Sequence, residues 1–378
     1  MGCWKQEQNS VIQKVKDLPG GMCLAGDGRS DSPGHSAKYG GYSTLEQRVN
    51  KVIDLQVVQS NEVGNSNACE MEGVRRMFGF LLDQHQLTVA EFITDRHRQI
   101  QKYVREVLGN HHLAVDLKHF FDVWHIAKGL GKQIDAISKK SGCDVAGLWR
   151  KSIVNHVYYV AATCDGDPDL IAAMWTSLAN HVQNIHEHDD DAYPKCDHAP
   201  LVEEDRNKEW LRPGKLVDKI LSKSLIKDMQ KVSPNFQTSN LEAFHSLVIA
   251  YAPKHTHFKW LCQFARYALA ALHFNENSDR VQAISQNGAP SYTIVYPKYK
   301  QGGFSVRKNK TPSTYNFGVT ILQRLLQEYQ RSPQELRDSI QELRDREPPT
   351  LASGMDRPDK VEAVAQHQTR YNVKKFKN

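Results

Sequence analysis

Residues 21–59, GMCLAGDGRSDSPGHSAKYGGYSTLEQRVNKVIDLQVVQ, hold three short apolar segments that are separated by turns. Their length and their aliphatic and aromatic side chains predict three strands, at residues 22–25, 42–45 and 52–58. The first segment continues into Gly26-Asp27-Gly28, which predicts a strand that ends by presenting one carboxylate, with glycines leaving room beside it for a ligand. A candidate site with a single carboxylate requires a second carboxylate from elsewhere in the chain.

Helices and strands alternate after these three segments. Apolar residues at helical spacing predict an amphipathic helix over 68–86, and the run VAEFIT at 89–94 predicts a strand. The sequence RQIQKYVREVL at 98–108 predicts a second helix, and a further apolar run lies within 113–124. The resulting order β-β-β-α-β-α-β predicts an α/β fold in which helices pack on a mixed sheet.

This element order is the one seen in ribonuclease H-like folds, in which the first and fourth strands are neighbours. Asp27 and Asp95 stand at the ends of those two strands in this chain. We therefore assign residues 21–125 to the first part of a ribonuclease H-like core, after a polar lead-in at residues 1–20.

Strand signals stop after this region, and helical windows follow one another through residues 126–235. The windows lie at 126–141, 144–161, 168–186 and 214–231. We interpret this region as an all-α insertion. Residues 236–280 then return to the core as two helices, the first beginning with Ser239 or Asn240 as its N-cap. Residues 281–378 predict a basic loop, a charged helix at 317–346 and a disordered tail from 347.

The composition limits the class of protein. The seven cysteines are scattered and form no CxxC pair, which favours a reducing compartment over a disulfide framework. A net charge of +6 is compatible with an anionic partner. No apolar segment typical of a secretory signal opens the chain, and no run of about 18 uncharged apolar residues occurs, so we expect neither secretion nor a membrane partner.

Three acids form the first candidate site. Asp27 ends the first predicted strand, Asp95 ends the fourth, and Glu242 lies in the first turn of the helix that follows the insertion. Carboxylates from separate elements can hold two Mg²⁺ ions, which activate a water or a 3′-hydroxyl and stabilise the leaving oxygen of a phosphodiester. The alternative is that each acid is a solvated residue at a strand end or a helix start, since aspartate is favoured at turns and caps.

Four longer strings resemble the core of eukaryotic DDE transposases, most closely the Kolobok-like group that is often joined to THAP-type zinc fingers. The strings are GDGRSDSPGHSAKY at 26–39, TDRH at 94–97, FDVWHIAKGL at 121–130 and LEAFH at 241–245. The resemblance covers about residues 22–280. It implies a ribonuclease H-like catalytic core with an all-helical insertion before the final glutamate.

The same resemblance implies DNA strand cutting and strand transfer, with Asp27, Asp95 and Glu242 as ligands of Mg²⁺ or Mn²⁺. DNA is then the partner, the nucleus is the implied location, no small-molecule substrate is expected, and a homodimer is left open. Asp31 is a rival to Asp27, but it lies past the predicted turn, where a strand-end geometry is harder to hold.

A second constellation is Asp122-x-x-His125, which follows the second aspartate. Several transposase groups carry a Cys/Asp-x-x-His string at this place. A histidine three residues from an aspartate at the end of a central strand could contact the scissile phosphate or orient a metal-bound water. Equally, Asp122 could cap the helix that begins near Trp124, with His125 packed against it.

A third constellation combines histidine and cysteine. His181 and His186 are followed, after nine residues, by Cys196 and His198. Imidazole and thiolate are the ligands that Zn²⁺ favours, so these four residues are candidates for a structural zinc site that ties down a long loop of the insertion. The spacing matches no standard finger, and surface histidines beside an unrelated cysteine are the alternative.

A basic segment at residues 296–310 carries cations and aromatic residues but no acids. Its cations suit a strand that grips phosphates, and its aromatic residues suit stacking on bases, although charge runs usually only face water. The predicted nucleic-acid contacts are Lys298, Lys300, Arg307, Lys308 and Lys310, together with Arg29 beside Asp27.

Three functions remain open from the sequence. The first is a metal-dependent DNA-processing transposase domain. The second is a domesticated or decayed derivative that binds DNA or protein without cutting, because only about 20 residues precede the first predicted strand and they carry no Cys/His finger. The third is a zinc hydrolase built on His181–His198, which four candidate ligands disfavour because a catalytic zinc keeps a position open.

Overall fold

The structure, a computed structural model, describes most of the chain. The described residues are 1–32, 37–64, 68–199, 201, 209–234, 238–300 and 302–367, without the side chain of Tyr299. The part of the chain predicted as a disordered tail therefore lies partly outside the described residues, from 368 to 378.

A five-stranded mixed sheet forms the centre of the fold. Its strands are β1 (Met22–Ser30), β2 (Tyr39–Glu46), β3 (Lys51–Gln59), β4 (Val89–Thr94) and β5 (Lys118–Phe121), in the spatial order β3-β2-β1-β4-β5. The first three strands pair antiparallel, and β4 and β5 continue the sheet parallel to β1. The α/β class with a mixed sheet flanked by helices is therefore confirmed.

The first strand is longer than the sequence predicted. β1 does not end before Asp27 but continues to Ser30, because Asp27 pairs with Ser43 and Ser30 pairs with Gly40 of β2. The prediction that the first strand ends at Asp27 is wrong for this reason: glycines that weaken a strand in isolation are held here by a complete ladder to β2.

Helices cover both faces of the sheet. Alternate strand residues enter two different apolar clusters: Leu24 and Phe92 join one, and Ala25 and Ile93 join the other. On the first face lie α2 (Ala68–Phe78), which continues as a π-helical turn over Gly79–Gln84, and α3 (Arg98–Glu106). On the second face lie α9 (Ser239–Tyr251) and α10 (Trp260–Asn277).

Residues 1–20 are not a polar lead-in. They contain helix α1 (Gly2–Lys16), whose buried residues Trp4, Gln8, Val11, Ile12 and Val15 follow helical spacing. The Gln8 side-chain amide donates hydrogen bonds to the Ile53 carbonyl at 3.0 Å and to Asp54 Oδ1 at 3.1 Å. These contacts fix α1 to β3. The amphipathic pattern was not recognised in the sequence because the exposed face of α1 carries many polar residues.

The insertion is helical throughout its described regular elements. They are α4 (Val123–Ser138), α5 (Val145–Thr163), α6 (Pro168–His181), α7 (Lys215–Ile220) and α8 (Lys223–Met229). These helices share an apolar core of their own that includes Trp149 and Trp175. The predicted helical windows are thus confirmed, except that the helix of the window at 168–186 ends at His181 and the single window at 214–231 is two helices.

The insertion begins and returns at one point of the sheet. α4 starts directly after β5, and the chain comes back beside the same strand, where the Phe121 N–H donates to the Lys231 carbonyl at 2.6 Å. The Ser233 N–H donates to the Phe121 carbonyl at 3.1 Å. α9 then begins with Thr238 at its N-cap, so Ser239 and Asn240, predicted as caps, lie inside its first turn.

The remaining elements follow α10. They are the hairpin strands β6 (Tyr292–Val295) and β7 (Ser305–Lys308), then α11 (Asn316–Arg331), α12 (Pro333–Asp345) and α13 (Lys360–Ala365). The basic segment predicted as a loop thus includes a strand, and the region predicted as a disordered tail contains α13. Within the described residues, no helix combines the length and the apolar character that a bilayer crossing requires.

Two helical glycines test the packing of the sheet against α2. A β-carbon on Gly73 would overlap Tyr42 Cβ, whereas one on Gly147 of α5 would make an ordinary 3.4 Å contact with Ser138 Cβ. We expect Gly73→Ala to lower the free energy of unfolding by about 1–3 kcal/mol because it overpacks the core. Gly147→Ala, the matched control, should leave it unchanged or raise it by up to about 1 kcal/mol. Urea unfolding of both variants measures the difference, and equal effects would contradict the packing described here.

Candidate active site

Three acids lie at one edge of the sheet, which we call the acid edge: Asp27, Asp95 and Asp122. In the parallel ladders, Ala25 pairs with Ile93 and Thr94 pairs with Phe121. Asp27 and Asp95 lie two residues beyond the first pair, and Asp122 follows Phe121 directly. Because the strands are parallel and adjacent, these acids occupy neighbouring positions where ligands of open α/β sheets bind.

Helix α9 lies against this edge and contacts Asp27. His245 Nδ1 of α9 lies 3.3 Å from Asp27 Oδ2, with exposed side-chain fractions of 12% for the histidine and 26% for the aspartate. Glu242 precedes His245 by three residues in the same helix, a spacing that puts both side chains on one helix face. Glu242 is partly buried.

Asp95 is oriented by the turn that follows β4. The backbone N–H of His97 donates to Asp95 Oδ1 at 3.0 Å. The neighbouring Arg96 binds Asp228 of α8 across 2.7 Å, an ion pair that fixes the turn to the insertion. The carboxylate of Asp95 is therefore held by local backbone geometry.

Asp122 connects the start of α4 with the start of α9. Its side chain is fully buried, and Asp122 Oδ1 accepts a hydrogen bond from the Thr238 N–H at 3.2 Å. Asp122 Oδ2 lies 3.7 Å from His125 Nδ1. The residue stands at the N-cap position of α4, as one of the two sequence interpretations had it, but its side chain makes no cap hydrogen bond there. Instead, its carboxylate joins two helices across the acid edge.

A fourth carboxylate, Glu70, was missed by the sequence reasoning. Glu70 lies in the first turn of α2, and a β-carbon on Gly28 would come within 2.8 Å of Glu70 Cδ. Burial and the negative charges of Asp95 and Asp27 raise the pKa of Glu70 to about 8. Only the apolar positions of α2 were used in the sequence analysis. The sequence signal that could have identified Glu70 is a glutamate in the first turn of the helix that follows the three antiparallel strands.

The Tyr42 hydroxyl belongs to the same group of polar side chains as Glu70, Asp27 and Asp95. It is buried, it has no hydrogen-bond partner among the described residues, and it lies against Gly26, where a β-carbon would overlap it. Burial and the charges of Glu70, Asp27 and Asp95 raise the pKa of Tyr42 well above its usual range. Gly26 is therefore required for close packing under the acid edge.

The acids at this edge are not grouped as the ligands of a single metal ion would be. In the described part of the chain, the one set of at least three His, Cys, Asp or Glu ligand atoms lying within 4.8 Å of one another is the His/Cys cluster of the insertion. Asp27, Asp95 and Glu242 do not form such a set. Acids that clamp a pair of ions from opposite sides lie farther apart, since the ions themselves are about 4 Å apart.

The predicted His/Cys residues do lie together. The ligand atoms of His181, His186, Cys196 and His198 are all within 4.8 Å of one another. Cys196 Sγ lies 3.5 Å from His181 Nδ1, and His198 Nε2 lies 3.1 Å from His186 Nδ1. This cluster belongs to the end of α6 and the segment that follows it, and not to the acid edge.

The predicted nucleic-acid contacts divide into two groups. Arg29 is only 6% exposed, and its guanidinium donates to the Tyr267 hydroxyl at 2.8 Å and to the Ala252 carbonyl at 3.0 Å. It holds β1 against α9 and α10, so its prediction as a nucleic-acid contact is wrong. The other five cations are exposed on or beside the β6–β7 hairpin: Lys298, Lys300, Arg307, Lys308 and Lys310.

Comparison with models of protein families, with curated proteins and with solved structures finds no match for this chain.

The raised pKa of Glu70 predicts a pH-dependent stability. Between about pH 4.5 and 8, the folded protein retains a proton on Glu70 that the unfolded chain releases, so this group makes the free energy of unfolding fall as pH rises. Glu70→Gln cannot ionise at this position. We expect its free energy of unfolding to rise relative to that of the wild type by on the order of 2 kcal/mol between pH 5 and 8 in EDTA. Urea unfolding across this pH range measures the gain, and parallel curves for the two proteins would contradict it.

Proposed function

We propose that this chain is a transposase-derived DDE domain that cleaves DNA strands and transfers them by metal-dependent phosphodiester chemistry. The observation that carries the proposal is the meeting of Asp27 and Asp95 on adjacent parallel strands, faced by the helix that bears Glu242. The sheet order β3-β2-β1-β4-β5, with three antiparallel strands followed by two parallel ones, supports a ribonuclease H-like identity for the fold.

The donor set fits hard divalent cations. Asp27, Asp95 and Glu242 offer carboxylate oxygens, the ligands that Mg²⁺ and Mn²⁺ prefer. Burial and, after it, the negative charges of Asp95 and Asp27 raise the pKa of Glu70, and a cation bound at this edge would offset the contribution of the two charges. Two bound ions would supply activation of a water or a 3′-hydroxyl and stabilisation of the leaving oxygen.

Other residues at the edge act on these ligands. His245 contacts Asp27 and can hold its carboxylate in one orientation, or carry a proton beside it. Asp122 ties the start of α9 to the sheet, which keeps Glu242 at the edge. His125, next to Asp122, is the residue for which we propose a contact with the scissile phosphate.

DNA is the proposed substrate, and the nucleus is the proposed location. The β6–β7 hairpin supports this proposal with five exposed cations and with the exposed aromatic side chains of Tyr296 and Phe304. Cations neutralise backbone phosphates, and exposed aromatic rings stack on bases without requiring a sequence.

The catalytic proposal predicts that Asp95→Asn abolishes nicking. Supercoiled plasmid is incubated with the full chain and Mn²⁺, and we expect Asp95→Asn to reduce nicking by at least about 100-fold. Loss of an outer-shell partner already costs about 10–100-fold in metal affinity or activity, and Asp95 is proposed as a direct ligand. Asp31→Asn is the matched control, because Asp31 lies past the end of β1, where it accepts from the Lys38 N–H.

Wild-type protein that binds DNA in a salt-sensitive manner but never nicks it would contradict the catalytic proposal and favour the non-cutting derivative. Equal nicking by wild type and Asp95→Asn would show that the activity does not come from the acid edge.

The hairpin predicts the salt dependence of DNA binding. Arg307→Gln/Lys308→Gln removes two exposed cations from β7, and we expect it to weaken binding and to reduce the slope of log K against log[salt] by about 1–2. The matched control is Lys139→Gln/Lys140→Gln, two exposed cations after α4. Fluorescence anisotropy at several salt concentrations gives both slopes. Equal losses of DNA affinity for the two double variants would mean that the hairpin cations contribute no more than other exposed cations.

A further inference from the structure

We propose that His181, His186, Cys196 and His198 form a closed structural zinc site that fixes the segment after α6 to the helical insertion. The proposal is independent of the DNA chemistry at the acid edge, and its test requires no DNA.

The backbone around the cluster is built to bring these residues together. α6 ends at His181, and the following segment folds back on itself as a short hairpin in which Glu187 and Lys195 form an antiparallel bridge. The Cys196 N–H donates to the His186 carbonyl at 3.0 Å. Residues 186 and 196 are therefore held opposite each other beside the end of α6.

Two distances between ligand atoms are close to those of a tetrahedral zinc site. Zinc–ligand bonds of about 2.0–2.3 Å give ligand-to-ligand edges of about 3.3–3.6 Å in a tetrahedron. Cys196 Sγ lies 3.5 Å from His181 Nδ1, and His198 Nε2 lies 3.1 Å from His186 Nδ1. All four ligand atoms lie within 4.8 Å, so a small local adjustment converts the observed arrangement into the bound one.

The hydrogen bonds of two histidines point their lone pairs into the cluster. His198 Nδ1 lies 2.7 Å from the Ala199 carbonyl, and His186 Nε2 lies 3.1 Å from Asn184 Oδ1, so in each neutral ring the outer nitrogen carries the proton. The two inner nitrogens then face each other with lone pairs at 3.1 Å. Two neutral rings in this arrangement repel each other unless a proton or a metal ion lies between the two nitrogens, and oriented outer contacts of this kind are typical of histidines that bind zinc.

A fifth residue, His188, supports the cysteine from outside. Its Nδ1 accepts from the Asn180 side-chain amide at 3.3 Å, which places the ring proton on Nε2. His188 Nε2 lies 3.4 Å from Cys196 Sγ, so it can donate to the sulfur. A donor at this place stabilises the thiolate that zinc requires, and His188 is therefore an outer partner rather than a ligand.

The site is structural because four protein ligands leave no open position for a water or a substrate. It lies against the aromatic core of the insertion, where the His181 ring contacts the Trp149 ring edge-on at 5.8 Å. A cavity of about 370 Å³, lined in part by His181, Cys196 and His198, lies beside the cluster and gives an ion an entry path.

The test is the metal content of the full chain, measured by inductively coupled plasma mass spectrometry after purification. We expect about one zinc per wild-type chain, and less than about a tenth of that in Cys196→Ser and in His186→Ala. Cys262→Ser, which removes an exposed cysteine of α10, and Asp95→Asn at the acid edge are the controls that should keep their zinc.

Because the ligand variants can fail to fold, the wild-type protein supplies a second measurement. Removal of zinc by a chelator should lower the thermal midpoint, and added Zn²⁺ but not Mg²⁺ should restore it. Substitution by Co²⁺ should give the intense visible bands of a tetrahedral site with one thiolate ligand. A wild-type protein that holds no zinc and gains no stability from added Zn²⁺, or a folded Cys196→Ser that keeps full zinc, would overturn the proposal.

Discussion

The parallel pairing of β1 with β4 is the constraint on which the rest of the structure depends. It places Asp27 and Asp95 side by side at the centre of the sheet, and the next parallel strand adds Asp122. The insertion leaves β5 and returns beside it, so α9 begins at this same edge and brings His245 to Asp27. A helical insertion of about a hundred residues, 126–235, thus begins and ends beside these acids.

Placing acids close together is electrostatically unfavourable, and neighbouring residues partly compensate for it. Burial and the nearby charges of Asp95 and Asp27 both disfavour ionisation of Glu70, and its pKa is raised for these two reasons. His245 beside Asp27 and the Thr238 N–H on Asp122 supply partial compensation from α9. We propose that an edge organised in this way gains stability from a divalent cation, and this proposal connects the geometry with phosphodiester chemistry.

The strands, most helices and the grouping of the His/Cys residues followed from the sequence because period, turn residues and ligand types are local signals. Helix α1 was missed because its polar face dominates its composition, although Trp4, Val11 and Val15 keep helical spacing. Arg29 was misassigned because a cation gives no sign in sequence that it will be buried against Tyr267. Glu70 was missed because its role depends on how α2 approaches β1, a tertiary relation that no local pattern encodes.

The most direct test of the central claim is a crystal of the full chain soaked in Mn²⁺, with anomalous diffraction recorded at the manganese edge. We expect two manganese peaks about 4 Å apart beside Asp27 of β1 and the end of β4, with Asp27 and Asp95 as shared or adjacent ligands and Glu242 completing the set. An acid edge that holds no manganese, with Asp27 still paired to His245, would contradict it.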